Sequence, residues 1–197
     1  MTKSKKIVEK EDLLSTEDYA KNRKQIRKKL VEFKKNRRIA LGPYATFYFE
    51  NFETMLGQIQ EMLYIEKGGD GQLKDELAAY NPLIPKGTEL VATLMFEIDN
   101  PVSRVKFLGK VGGIEEKVYM KVGEDKINAM PETDLDRTSA EGKASSVQFI
   151  HFNFSNNQVK KFKDLKNEVI IGIDHNSYNY TVKITEDTKS SLVGDFI

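Results

Sequence analysis

Two histidines, His151 and His175, are the only imidazoles in the chain, and no cysteine accompanies them. Any imidazole acid–base or metal chemistry must run through one of these rings, and thiolate chemistry is excluded. His175 follows the apolar stretch Val169-Ile170-Ile171-Gly172-Ile173, beside Asp174 and three residues before Tyr178. At a strand end, that carboxylate and phenol could orient or polarise the ring for proton transfer. The same Asp-His-Asn-Ser run is also ordinary turn chemistry. His151 lies on one face of an apolar-alternating stretch with Val147 and Phe149, and reads as a half-buried, hydrogen-bonded ring.

A metal site would need carboxylates to join His175. Glu50, at a strand-to-helix junction, and Glu61, in an amphipathic helix, are the candidates, with His175 and Glu61 as the candidate ligands. Thr54, Gln58 and Glu61 fall at i, i+4 and i+7, a polar line at the edge of an apolar stripe. A solvated helix face produces the same line. No motif indicates a cofactor: the chain has no phosphate loop, no dinucleotide fingerprint, no nucleophile elbow and no zincin motif.

Charge is uneven. Between Lys21 and Arg38 there are ten Lys/Arg and one acid, Glu32, a local charge of +9 in a chain whose net charge is +1. Lys21, Lys24, Lys28 and Lys35 share one face of the helix predicted over 19–36. They are candidates for phosphate contacts with nucleic acid, although no aromatic interleaves with them to stack a base.

Around these residues the pattern predicts an α+β domain. Ser15 caps a helix whose narrow apolar stripe is Tyr19, Ile26, Leu30 and Phe33. Strands follow at 39–41 and 45–49 around Gly42-Pro43. Asn51 caps a second helix with Phe52, Met55, Leu56, Ile59, Met62 and Leu63 in register. Gly57 inside it costs about 1 kcal/mol relative to Ala unless close packing requires it. A short helix over 72–79 and a long alternating strand over 89–98 come next. Asn100-Pro101 opens a further helix. Strands are predicted at 118–122, 126–129 and 147–154, a polar loop at 131–144, a hairpin of 169–173 with 178–184, and a weak terminal helix from Thr185. Helices come early and strands late, so the expected fold is N-terminal helices packed on a largely antiparallel sheet.

The chain has 197 residues, 39% apolar and 31% charged, with 11 Phe and 8 Tyr. That length suits a single domain over 13–197, preceded by a mobile basic tail over 1–12, and needs no disulfide or metal to hold its core. The polar N-terminus and lack of cysteine point to the cytoplasm, and no apolar run is long enough for a membrane span.

Several ordered motifs resemble an uncharacterised bacterial family known as domain of unknown function 3501. They are Arg38 to Pro43, Phe49-Glu50-Asn51, Thr54-Met55, Gln58 to Leu63, Glu76-Leu77 with Tyr80 to Pro85, and Gly172-Ile173-Asp174-His175 with Tyr178. The resemblance runs from about residue 12 to about 192. It implies a redox or peroxide-defence setting beside rubrerythrin-like and iron–sulfur oxidoreductase proteins, without an activity. The family pattern carries a basic residue where His151 stands, so it does not mark that ring.

Glu50, Asn51, Gln58, Glu61, Asp174, His175 and Tyr178 thus form the candidate ligand or partner site. Two accounts of them stay open: they cap and brace the fold, or they converge in one cleft. The expected function is a non-catalytic accessory protein in a redox system. The alternatives are a metal-dependent or His-assisted enzyme using His175, Asp174, Glu50 and Glu61, and nucleic-acid binding through the basic helix.

Overall fold

The computed structural model describes residues 5–132, 138–139 and 142–196. Ser15 accepts a hydrogen bond from the Asp18 amide and starts helix α1, Thr16–Lys34. Strands β1 (Arg38–Leu41) and β2 (Ala45–Glu50) turn through Gly42. Asn51 and Thr54 cap each other reciprocally at the start of α2, Phe52–Glu66. Helix α3 (Gly69–Tyr80) precedes β3 (Glu89–Phe96) and α4 (Pro101–Leu108). The remaining elements are β4 (Val118–Val122), β5 (Asp125–Asn128), β6 (Met130–Pro131), β7 (Val147–Asn153), α5 (Asn156–Lys163), β8 (Val169–His175), β9 (Tyr178–Lys183) and α6 (Glu186–Val193).

This is the expected α+β fold, but the strands divide into two stacked antiparallel sheets. One has the order β1-β2-β3-β7-β6 and the other β5-β4-β8-β9. Period-two alternation explains the division, because each sheet presents one apolar face to the other. In the first sheet Phe47 lies opposite Leu94, Phe49 opposite Ala92, and Leu90 opposite Phe152. In the second, Val118, Met120 and Val122 lie opposite Ile173, Ile171 and Val169. All twelve are buried in one cluster. Each large side chain so buried contributes about 2–3 kcal/mol. Helices α5 and α6 close one end of the sandwich, where Phe154, Phe162 and Phe196 meet edge to face at 5.0–5.8 Å. Helix α5, capped by Ser155 and Gln158, is an element that sequence periodicity alone does not predict.

The N-terminal helices cover the outer face of the five-stranded sheet, where Met55, Ile59, Leu83, Ile84 and Val91 form a second cluster. Val8 belongs to it and is 1% exposed. That corrects the expectation of a mobile tail for residues 5–12. The Asn81 side chain accepts from the Val8 amide at 2.7 Å and donates to its carbonyl at 3.0 Å, as a neighbouring strand would. Gln60 treats Leu14 in the same way, at 2.8 and 3.2 Å. Residues 1–4 lie outside the described residues, as do 133–137 and 140–141 of the expected polar loop. Among the described residues no helix is long and apolar enough to cross a membrane.

Candidate functional site

Helices α1 and α2 lie against each other through Leu30 and Gly57, whose missing side chain is required: a Cβ there would stand 2.5 Å from a Leu30 methyl. One turn further along, Glu61 binds them together. Its Oε1 accepts from the Tyr19 hydroxyl at 2.5 Å and from Arg23 Nε at 2.9 Å, and its Oε2 accepts from Arg23 Nη2 at 2.8 Å. The Arg23 hydrogen bonds hold the Glu61 carboxyl below the usual carboxylate range despite partial burial. Burial and the Glu61 charge push the Tyr19 phenol far up. Glu61 is therefore a brace between the two helices, with three hydrogen bonds to α1.

The other sequence candidates are also drawn into scaffold bonds. Glu50 is buried on the outer face of β2, accepts from Thr93 Oγ1 at 2.8 Å, and leaves its second oxygen buried without a partner among the described residues. Asn51 caps α2, and its amide reaches Asp195 at 3.3 Å. Gln58 donates to the Tyr80 hydroxyl at 3.4 Å. Asp174 accepts from the Asn179 amide at 3.0 Å. His175 Nδ1 accepts the Ser177 amide at 3.1 Å, so the ring tautomer carries its proton on Nε2. Tyr178 is buried between the sheets and bonds the β1–β2 turn.

These residues do not converge. His175 and Asp174 line a polar cleft with Gly112, Gly113, Glu116 and Lys117 at the end of the four-stranded sheet. Glu61 and Glu50 lie in the helical layer and on the five-stranded sheet. Among the described residues no group of three His, Asp or Glu side chains is placed to hold a metal ion. The expected His175/Asp174/Glu50/Glu61 cleft is corrected accordingly: His175 and Asp174 share the hairpin end, whereas Glu50 is bonded to β3 and Glu61 to α1.

Two features escape sequence reasoning. His151 has a carboxylate on each ring nitrogen, Glu89 at 3.1 Å from Nδ1 and Glu132 at 2.8 Å from Nε2. Burial opposes the charge on this ring, but the two carboxylates outweigh it and raise the imidazole above its ordinary value. The ring is half-buried and hydrogen-bonded, as its strand position suggested. Its partners are 62 and 19 residues away, which no spacing rule reveals. The second feature is Arg37, which is 2% exposed and donates to Asp195 Oδ2 at 2.5 Å and to the carbonyls of Phe49 and Glu50.

The α1–α2 face is open to solvent on both sides of the helix pair. On one side of the helix pair lies a cleft of about 490 Å³ lined by Leu14, Tyr19, Ile26, Leu30, Phe33 and Leu56. Its mouth carries Lys29 from α1 and Glu53 from α2. On the other side, Arg23, Lys24 and Arg27 surround Tyr64 of α2, with the Arg23 guanidinium 4.8 Å above the Tyr64 ring. Lys21, Lys24, Lys28 and Lys35 are all exposed. Lys21 pairs with Asp18 and Lys35 with Glu32, whereas Lys24 and Lys28 have no ion-pair partner among the described residues.

A family model described as Protein of unknown function (DUF3501) matches residues 7–196, nearly the whole chain. The chain belongs to the DUF3501 family. A crystal structure of a novel protein of unknown function from Burkholderia pseudomallei K96243 is similar to it throughout. The TM-score is 0.90 at 35% identity, over 96% of this chain and 99% of that one. No curated protein matches the chain. The geometry gives the motifs of this DUF3501 chain a scaffold role: Gln60 and Asn81 hold the N-terminal segment, Glu61 joins two helices, and Tyr178 joins two sheets.

Proposed function

We propose that this DUF3501 protein is a non-catalytic accessory protein that docks on an acidic partner through the basic outer face of α1. The observation that carries the reading is a contrast. The acids, amides and phenol of the sequence motifs each make scaffold bonds, while Lys24 and Lys28 stand exposed with no ion-pair partner among the described residues, on a helix of dense positive charge. Such a face steers an oppositely charged surface and fixes its orientation. The family resemblance supplies the partner class, a rubrerythrin-like or iron–sulfur oxidoreductase protein of a redox system.

The test is affinity capture from native cells with tagged wild-type protein and with the Lys24→Glu/Lys28→Glu variant. The wild type is expected to enrich such a partner in a salt-sensitive manner, and the variant to lose it. Repeated capture without a redox protein, or capture unchanged in the variant, defeats the proposal.

A second reading has one observation behind it. Tyr64 supplies from α2 the aromatic that the basic face of α1 lacks, next to Arg23, Lys24 and Arg27. That combination suits single-stranded nucleic acid. It predicts a gel shift that weakens with salt and disappears in the same variant; a shift absent at low salt removes it.

A further inference from the structure

The apolar cleft between α1 and α2 is not used by the basic face. At 100° per residue, Lys21, Lys24 and Lys28 project from the side of α1 away from Ile26, Lys29 and Phe33. The cleft is therefore a surface separate from the basic face.

Three observations bear on what would occupy it. First, the large apolar residues are at the rim and not only at the floor: Leu14 is 45% exposed and Phe33 38% exposed. A small molecule sitting in the cleft would leave these edges wet, whereas a protein surface laid across the mouth would cover them. Second, the polar groups of the lining are already used. Asp12 binds Lys5 and the Glu9 amide, Gln60 binds both backbone groups of Leu14, and Tyr19 binds Glu61. Third, the two groups left without a partner among the described residues are Lys29 and Glu53, of opposite charge. They stand on opposite banks, one on each helix.

A surface carrying a cation on one bank and an anion on the other is complementary to itself after a two-fold rotation. We infer that the occupant is a second copy of this chain. In the resulting two-fold dimer Lys29 of each protomer faces Glu53 of its partner, and Leu14 and Phe33 of each are covered by the partner's cleft. The contact leaves both basic α1 faces outward. It does not rest on the proposed accessory role, and either can fail alone.

Sedimentation velocity on the full chain over a range of concentrations tests this, with circular dichroism to verify that each variant is folded. The wild type is expected to dimerise. Lys29→Glu and Glu53→Lys are each expected to weaken dimerisation by about tenfold or more, because symmetry applies each like-charge contact twice. The double charge exchange Lys29→Glu/Glu53→Lys restores it, which a loss of fold would not do. A folded wild type that stays monomeric at every concentration overturns the inference, whether or not the cleft takes up an apolar dye as a small-molecule site would. A dimer indifferent to both single changes overturns it as well.

Discussion

The Tyr178 hydroxyl lies 2.5 Å from the Leu41 carbonyl oxygen, and so bonds β9 of one sheet to the β1–β2 turn of the other. The same oxygen accepts the amides of Tyr44 at 3.1 Å and Ala45 at 3.0 Å. Gly42 makes room for it: a Cβ on this residue, at φ +64°, would stand 2.8 Å from the hydroxyl and from the Tyr180 ring. One phenol thus completes the hydrogen bonding of a turn 137 residues away. Tyr178→Phe keeps the packing but leaves a buried carbonyl and two amides without it. It is expected to lower unfolding stability by about 2–3 kcal/mol with an unchanged denaturant slope. A loss below a few tenths would show that the turn does not depend on the bond.

Arg37 and Asp195 form a buried ion pair that ties the residues after α6 to the β2–α2 junction. Arg37→Ala leaves the buried Asp195 charge without its cation, with only the Asn51 amide on it, and removes a donor from the Phe49 and Glu50 carbonyls, with an expected loss of about 3–5 kcal/mol. Asp195→Asn preserves an acceptor for Arg37 and costs less, about 1–3 kcal/mol. Urea titration of both variants checks the order, and equal losses would contradict it.

His151 gives stability a pH limit on the alkaline side. Both its neighbours are acceptors, so only the imidazolium satisfies Glu89 and Glu132 together; a neutral ring turns a lone pair toward one carboxylate. Its folded-state value is raised above the ordinary 6.5, so its contribution is fully present below about 6.5 and is lost as pH rises through the higher folded value. Glu89 works in the opposite sense. Burial is the largest influence and raises it, but the bond to His151, the bond from the Lys86 amide and the two nearby positive charges together outweigh burial and lower it, so its contribution holds above the ordinary 4.5 and fades as pH falls through the lower folded value. Nearby Lys86, itself lowered by burial, adds a smaller attraction to Glu89. Urea midpoints of the wild type are expected to fall as pH is raised from about 6 to about 9, and His151→Asn to flatten that slope. Parallel slopes in the two proteins would contradict the clamp.

Much of the architecture is legible in the residues. The i, i+3, i+4 stripe of α2, its Asn51 cap, the alternation of β3 and the hairpin of β8 with β9 are local patterns, and each appears where periodicity places it. Gly57 reads in advance as a cost that close packing must justify, and Leu30 supplies the packing. The N-terminal segment is less legible, because Val8 is held by Asn81 and not by any pattern of its own.

The roles of the polar motif residues lie beyond local reading for the same reason. Glu61 and His175 look equally able to bind a ligand in one dimension. In three, Glu61 is surrounded by Tyr19 and Arg23, some forty residues earlier, and His175 accepts an amide two residues on. Amphipathic period and turn chemistry act between near neighbours, so the sequence by itself determined which segments are helix or strand and which face of each is apolar. Only the tertiary structure decided how the strands divide into two sheets, which carboxylate meets which cation, and which surfaces stay uncovered. Those outcomes depend on contacts between residues distant in the chain, whose desolvation and hydrogen bonding are settled only when the layers close over them.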